Sequence, residues 1–149
     1  MWITKFFETV KRLFAGKIFR SKEIKKEPWT SRAEGIRREN EAVKLLKKRG
    51  YKIIERNFRA YKGEIDIIAK HKGAYVFVEV RYRSSTFAGA PVESVRKAKQ
   101  LKIIKTALVY IKNHRLQDKD IRFDIVALSP QGAEVFENAF IVKNKRFFV

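Results

Sequence analysis

Residues 63–83 read GEIDIIAKHKGAYVFVEVRYR, and this stretch decides the fold because it places acidic residues inside two strongly apolar segments. The alternation of side chains with a period of two residues predicts two β-strands. Glu64 and Asp66 then share one face of the first strand, while Glu79 and Arg81 share one face of the second. Strands do not usually carry charges on a buried face, so these positions are candidates for chemistry.

The residues between the two strands, 70–73, are predicted to form a four-residue hairpin loop. With that loop, Glu64 lies directly opposite Glu79 and Asp66 lies diagonal to it, at Cβ distances of about 5 Å and about 7–8 Å. Three carboxylates in one patch are destabilising unless cations or raised pKa values relieve the repulsion, and a divalent metal ion is an economical cation. A loop one residue longer or shorter would turn one strand's acids to the opposite face.

The composition indicates one compact domain with a partner of opposite charge. The chain has 149 residues, of which 45% are hydrophobic, so one core and one appended segment are expected. The net charge of +19, from 35 basic and 16 acidic residues, predicts a polyanionic partner, either nucleic acid or an anionic membrane surface. The chain has no cysteine, which excludes disulfides and thiolate metal sites and favours the cytoplasm.

The first 30 residues differ in pattern from the rest. Residues 2–20 are predicted to form a basic amphipathic helix, and residues 21–30 a charged linker to a domain at 31–149. The apolar face of this helix could dock on the domain or on a partner, lie on a membrane surface, or accompany a nucleic-acid arm. No run of about 18 apolar residues predicts a membrane span, and no signal peptide is expected.

A helix predicted at residues 32–49 carries an acid on its apolar side. Glu39 falls on the same stripe as Ile36, Val43 and Leu46, so its carboxylate is expected to face the sheet or its margin. Two interpretations stay open. Glu39 is either an edge charge paired with an arginine or lysine, or an additional acid of the patch around Asp66.

The elements on either side of the acidic strands complete a mixed sheet. A first strand is predicted at 51–58, a loop that could border a substrate at 84–91, and a second long helix from about residue 92. A buried strand at 121–128, re-entered after this crossover helix, and a short last strand from Gly132 follow. The second helix carries a run of cations, either a solvated face or a surface that neutralises phosphates.

Asp66 and Glu79 have the chemistry that Mg²⁺ or Mn²⁺ prefers, since these ions take one or two carboxylates and leave other positions to water and phosphate. A metal held there would support phosphodiester hydrolysis. The alternative is that the two acids simply pair with the abundant arginines and lysines. His71, placed at the loop tip, and His114, near a helix end, are expected to be solvated, so no histidine cluster predicts zinc.

The order of these motifs resembles one known family. A helix with an internal Glu39, then GEIDIIA at 63–69, VFVEVRYR at 76–83, a basic helix and RFDIVAL at 122–128 together resemble the YraN family of uncharacterised bacterial proteins, over about 34–140. That family is similar to the restriction-endonuclease-like superfamily and to archaeal Holliday junction resolvases. The resemblance implies an α/β fold with an α-β-β-β-α-β core and a PD-(D/E)xK active site.

Carried over residue by residue, the resemblance assigns a role to each acid. Glu39 matches the helix acid, Asp66 the metal-binding aspartate, Glu79 the second metal ligand and Arg81 the position of the motif's lysine. Glu64 is a further candidate for a metal or supporting residue, from the strand pattern and not from the resemblance. Arg81 departs from the pattern, because arginine stays charged where a lysine can assist proton transfer. It can still bind a phosphate bidentately. The predicted nucleic-acid contacts are Arg83, Arg96, Lys97, Lys99, Gln100 and Lys102, of which Gln100 matches a helix glutamine seen in some relatives.

These observations predict a metal-dependent nuclease acting on DNA, with branched or single-stranded DNA as the candidate substrates. One alternative is a nucleic-acid-binding module of the same fold without catalysis, which the arginine at position 81 favours. A weaker alternative is an adaptor at a membrane surface or on another protein, which rests on residues 2–20 alone. A second copy of the chain is kept as a candidate partner.

Overall fold

The computed structural model describes residues 30–83 and 95–140. The predicted helix at 2–20, the linker that follows it up to residue 29, and the predicted loop at 84–91 lie outside the described residues. None of the helices within the described part is long and apolar enough to cross a membrane.

The described residues form a mixed α/β structure. Its elements, in chain order, are α1 (Thr30–Lys48), β1 (Lys52–Ala60), β2 (Gly63–His71), β3 (Ala74–Tyr82), α2 (Lys97–Asn113), β4 (Ile121–Ser129) and β5 (Gly132–Phe136). Within the described residues, the predicted elements are confirmed in type and order. Most bounds agree within two residues.

The start of α2 differs from the prediction. The helix begins at Lys97 rather than near residue 92, and Arg96 before it has ψ of 142°, an extended rather than a helical value. Val95 is buried, and its carbonyl accepts a hydrogen bond from Gln100 Nε2 at 2.8 Å. Val95 therefore anchors the entry of the helix instead of belonging to it, which a helical apolar spacing alone does not reveal.

The five strands lie in the order β1-β2-β3-β4-β5 in one sheet. The neighbours β3 and β4 are parallel and are joined through α2, while the other three neighbouring pairs are antiparallel. The predicted mixed sheet is thus confirmed. A parallel pair needs a crossover connection, and α2 supplies it.

The two helices cover opposite faces of this sheet. In β3, Phe77 packs in a core with residues of α2, whereas its neighbour Val78 packs in a separate core with Ala42 and Leu46 of α1. Successive residues of a strand point to opposite faces, so the two cores lie on either side of the sheet. Ile36, predicted on the apolar stripe of α1, is 51% exposed, whereas Leu46 of the same stripe and Ala42 are fully buried against the sheet.

The β2–β3 hairpin corrects the predicted register. His71 pairs with Ala74, so the turn contains only Lys72 and Gly73, whose φ angles of 49° and 83° lie in the left-handed region. Two-residue turns of this kind match the twist of the strands. The predicted four-residue loop was wrong by two residues. Because the difference is even, the pairing keeps its parity, but the neighbours of the acids across the hairpin change. Ile65 packs in the core with α2 and Ile67 in the core with α1, so β2 does not alternate regularly around Asp66.

His71 shows why the loop was predicted too long. Its ring stacks on Tyr51 at 3.8 Å between centroids, and Arg122 Nη2 donates to its Nδ1 at 2.8 Å. The side chain is 8% exposed, so the prediction of a solvated loop-tip histidine was wrong. His114, by contrast, caps the end of α2 and is exposed, although its ring stacks on Tyr110.

Candidate functional site

The site lies where β2 and β3 separate. Their pairing runs from the turn to Ile67 opposite Val78 and continues no further, although β2 still pairs with β1 as far as Gly63. The next residues along the two strands are Asp66 and Glu79. The corrected register therefore brings these two acids level with each other, at an opening in the sheet where the hydrogen-bond ladder has ended.

The side chain of Asp66 bridges β2 and β3 at that opening. Its Oδ2 accepts a hydrogen bond from the backbone N–H of Val80 at 2.7 Å, a donor on the neighbouring strand. Burial and, next, the charge of Glu79 raise the pKa of Asp66 to about 7, against the lowering effects of the Val80 hydrogen bond and of Lys99. A carboxyl with a pKa this high, next to a second acid, is typical of functional sites.

Glu79 is almost completely buried beside Asp66. Its side chain is 2% exposed, and its Oε1 lies 2.6 Å from Lys99 Nζ and 3.7 Å from Arg81 Nη1. Its Oε2 is buried and has no hydrogen-bond partner among residues 30–83 and 95–140. Leaving a buried carboxylate oxygen unsatisfied costs free energy, so such an atom calls for a ligand.

These features fit a hard divalent cation. Two carboxylates at one opening, one of them with an unsatisfied buried oxygen, are the donors that Mg²⁺ or Mn²⁺ takes from a protein while phosphate and water complete its shell. Within the described parts of the chain, no three histidines, cysteines, aspartates or glutamates come together as a metal-holding group. The residues thus suit a two-carboxylate site rather than a complete protein cage.

Glu39 combines features of both sequence interpretations. Its Oε2 accepts hydrogen bonds from Arg56 Nη2 at 3.3 Å and from Asn57 Nδ2 at 3.0 Å, so it is paired with an arginine of β1. Asn57 has φ of 54° and interrupts the regular strand beside Asp66. The charge of Glu39 also contributes to raising the pKa of Asp66, so the helix acid lies within electrostatic reach of the acid pair.

Glu64 has a different partner from the one predicted. It pairs with Arg59 across the β1–β2 ladder, and the two side chains form an ion pair at 3.2 Å. The expectation that Glu64 lies directly opposite Glu79 was wrong, because it depended on the four-residue loop. Its role as a supporting or metal-binding residue stays a prediction.

Two of the cations of α2 line a cleft on the surface. Lys99 and Lys102 line a cleft of about 530 Å³ between α2 and the β1–β2 turn, together with Arg59 and Lys62. We call this opening the basic cleft. Lys99 joins it to the acid pair, because the same ammonium group contacts Glu79.

The remaining predicted nucleic-acid contacts do not line this cleft. Arg96 and Lys97 are exposed at the start of α2, and Arg83 is half-buried just after β3. Gln100 donates its amide to the Val95 carbonyl, which gives it a structural contact at the helix start. The structure brings Asp66, Glu79 and Arg81 together, and its placement of the others leaves their nucleic-acid roles as predictions.

Sequence reasoning missed two features of this site. Lys99 was predicted only as a phosphate contact, but it also pairs with Glu79. The two residues are 20 positions apart in the chain, and their contact depends on how α2 packs across the sheet. Tyr61, 56% exposed in the β1–β2 turn, was not singled out. The available signal was an aromatic residue between basic ones, in the stretch RAYKG at 59–63.

Comparison with known proteins places these residues in a family. The model of the "Uncharacterised protein family UPF0102" matches residues 38–128, which include Asp66, Glu79 and Lys99. A UPF0102 protein of Persephonella marina is 45% identical over 112 residues, covering 75% of this chain and 94% of its own length. A UPF0102 protein of Sulfurihydrogenibium sp. is 48% identical over 104 residues, covering 68% of this chain and 89% of its own length.

Proposed function

This chain belongs to the UPF0102 (YraN) family, and we propose that it is a metal-dependent nuclease in which Asp66 and Glu79 hold Mg²⁺ or Mn²⁺ against a DNA phosphodiester. The observation that carries this proposal is Glu79, a buried carboxylate whose Oε2 lacks a partner among the described residues. The high pKa of the adjacent Asp66 supports it.

The order and pairing of the elements support a restriction-endonuclease-like fold for the same purpose. The chain runs α1-β1-β2-β3-α2-β4, which is the order that the resemblance implies, and β3 and β4 are parallel. Asp66 and Glu79 lie on the two strands that separate. The substrate phosphate would approach that opening from the side of the basic cleft.

A bound divalent ion would polarise the phosphate and supply a nucleophile at neutral pH. Asp66 and Glu79 contribute the negative charge that holds it, and the Val80 N–H fixes the orientation of the Asp66 carboxylate. Glu39, tied to Arg56 and Asn57, adds negative potential from the α1 side. These residues set the geometry before substrate arrives, which is where enzymes gain most from electrostatics.

Two cations beside Glu79, Arg81 and Lys99, supply the positive charge that the motif's lysine would bring. Arg81 occupies the motif position and can bind a phosphate oxygen bidentately, but it stays charged. Lys99 reaches Glu79 from α2 and brings an ammonium group to the same carboxylate, closer than Arg81 does. The departure of residue 81 from lysine is therefore compatible with catalysis.

Cleavage assays with purified variants test the proposal. Wild type, Asp66→Asn and Glu79→Gln are incubated with junction, flap and linear DNA in Mg²⁺ or Mn²⁺, with a chelator control. We expect wild type to cleave at least one of these and each variant to lose cleavage by about 100-fold or more, because the metal loses a charged ligand. Glu134→Gln, an exposed acid of β5, is the matched control and should cleave like wild type.

Binding measurements in the same series identify the alternative. Tight, salt-sensitive DNA binding by wild type with no cleavage under either metal would overturn the nuclease and support the non-catalytic binding module. Lys99→Met should lower cleavage more than binding if its contact with Glu79 matters for the reaction. An equal loss of both would reduce Lys99 to a phosphate contact.

A further inference from the structure

The wall of the basic cleft opposite α2 is the two-residue turn between β1 and β2. Its residues, Tyr61 and Lys62, both have left-handed backbones, with φ of 50° and 58°. Such turns normally use Asn-Gly, because other side chains are strained there. Strain of this kind collects at functional positions. The turn has a tyrosine and a lysine at two positions where the left-handed backbone favours asparagine and glycine.

The turn is fixed on α2. Thr106 Oγ1 lies 3.2 Å from the Ala60 carbonyl oxygen and 2.8 Å from the Lys102 carbonyl oxygen. A side chain at Gly63 would collide with the same Thr106 hydroxyl, so the backbone there lies directly against the helix. The backbone on either side of Tyr61 is therefore held against α2 by packing.

The ring itself is accessible and surrounded by positive charge. Tyr61 is 56% exposed, and Lys105 Nζ lies 5.6 Å from the centre of its ring. Lys62, Lys99 and Lys102 line the same cleft. An exposed aromatic ring within a group of cations is the arrangement that binds single-stranded nucleic acid, with bases on the ring and phosphates on the cations.

Lys99 links the cleft to the acid pair, because it lines the cleft and contacts Glu79. A strand whose phosphate lies at Asp66 and Glu79 would pass over α2 toward Tyr61. A base that is stacked in a duplex cannot also stack on a side chain. Only an unpaired or extruded base can use this ring.

We infer that Tyr61 is a stacking platform for an unpaired nucleobase, and that the substrate of this protein is nucleic acid with unpaired nucleotides beside the bound phosphate. The inference rests on the proposed function for its placement near a scissile phosphate. It adds the recognition of a base, which neither the acids nor the cations can provide. Lys62 and Lys102 hold the phosphates on either side of that nucleotide.

Metal-free binding tests the platform without depending on cleavage. Fluorescence anisotropy in a chelator compares three labelled DNAs of equal length: a single strand, the same strand with central abasic sites, and a blunt duplex. We expect wild type to bind the intact single strand about ten-fold more tightly than the abasic strand, given the usual strength of base–aromatic stacking. The duplex should gain nothing from Tyr61.

Variants at the turn separate the ring from the fold. Tyr61→Asn removes the ring while suiting the left-handed backbone, and Tyr61→Phe keeps it. We expect Tyr61→Asn to abolish the preference for the intact strand and Tyr61→Phe to retain it, with the slope of affinity against salt unchanged in both, since no cation is removed. Tyr82→Asn, at another exposed tyrosine, is the control and should bind like wild type.

Two results would overturn the inference. One is a Tyr61→Asn protein, shown by its melting curve to be folded, that still prefers the intact strand as wild type does. The other is a wild type that binds the abasic and intact strands equally. A ring-dependent preference without any cleavage in Mg²⁺ or Mn²⁺ would sink only the nuclease, so failures of the two proposals are distinguishable.

Discussion

Asp66 is held where an ionised carboxylate is disfavoured, since burial and Glu79 raise its pKa from 3.8 to about 7. The folded chain therefore keeps a proton that the unfolded chain would release between these two values. The stabilisation from that proton is fully present below about pH 4 and is lost as the pH rises through 7. In the absence of a metal, neutral and alkaline pH should thus weaken the fold through this one residue.

Asp66→Asn should remove that pH dependence. The amide oxygen can still accept the Val80 hydrogen bond, but no charge forms at high pH. Without metal, we expect the variant to be more stable than wild type at pH 8, by at most about 4 kcal/mol, and to approach wild type near pH 4. Urea unfolding at the two pH values measures this.

The matched variant for this comparison is Asp118→Asn, at an exposed aspartate of the turn after α2. It should not change the difference between the two pH values. An Asp66→Asn protein that is less stable than wild type at pH 8 would contradict the expected cost of ionisation. Adding Mg²⁺ should stabilise wild type alone, because only wild type gains from metal binding.

The sequence pattern predicts which residues form the candidate site, but it does not predict their hydrogen bonds and ion pairs. An acid at alternate positions of an apolar strand predicts Asp66 and Glu79 directly. The unpartnered oxygen of Glu79 and the contact from Lys99 depend on the spacing between β2, β3 and α2. That spacing is set by packing over residues distant in the chain, which a local pattern does not contain.

At the scale of elements, the β1–β2 hairpin and α2 act as one unit. Gly63 allows β2 to begin against the helix, and Thr106 is the neighbour that would meet any added side chain. Because this contact positions one wall of the basic cleft, it links a single glycine to the shape of that cleft.

Gly63→Ala should be destabilising by about 1–3 kcal/mol, as expected for overpacking. Thr106→Ala removes the hydroxyl with which the new methyl group collides, so the double variant should be less destabilised than the sum of the two single changes. Thermal unfolding of the four proteins gives this cycle. Additive losses would show that the Thr106 contact is not what restricts position 63.

Gly35→Ala is the control for replacing a glycine. It lies within α1, where an added Cβ meets nothing within 4 Å. The change should stabilise the protein by up to about 1 kcal/mol, from helix propensity alone. A loss at both glycines would point to a general effect of the substitution instead of the predicted collision.

Local sequence patterns predict the positions of the helices and strands but not every strand register. Strand and helix positions followed from periodicity, whereas the β2–β3 register did not, because His71 looks like a loop residue by its polarity. Its place in the strand comes from Tyr51 and Arg122, which lie 20 and 51 residues away in the chain. Only tertiary contacts could have corrected the loop length.

Across the whole molecule, the two faces of the sheet use charge in opposite ways. On the α1 face, the fully buried Asp124 accepts hydrogen bonds from the Tyr51 hydroxyl, the Arg122 guanidinium and the Asn138 N–H. Every oxygen of that carboxylate is used. On the α2 face, Glu79 pairs with Lys99 and keeps its Oε2 without a partner among the described residues, so the two buried acids differ in how fully their oxygens are satisfied.

Asp124→Ala should therefore be the more damaging loss of an acid. It leaves the partly buried Arg122 without its main partner, and breaking such a pair typically costs about 3–5 kcal/mol. Denaturant unfolding at neutral pH measures it. Asp118→Ala, at an exposed acid, should unfold like wild type; a comparable loss there, or none at Asp124, would contradict the assignment.

The net charge of +19 should appear in the salt dependence of DNA binding. Each phosphate contact removed lowers the slope of log affinity against log salt by about 0.7–0.9. Lys62→Gln with Lys102→Gln should thus reduce it by about 1.4–1.8. Lys112→Gln, at the far end of α2, should leave it unchanged, and an equal reduction there would mean that charge acts without regard to the cleft.

The two short turns that join β1, β2 and β3 also have a consequence for the order of folding. Contacts between neighbours in the chain form within microseconds, whereas the parallel pairing of β3 with β4 must wait until the crossover through α2 has been closed. Asp66 and Glu79 both belong to the early part. They would meet before Lys99 arrives, so the docking of α2 would also be the step that relieves the repulsion between them.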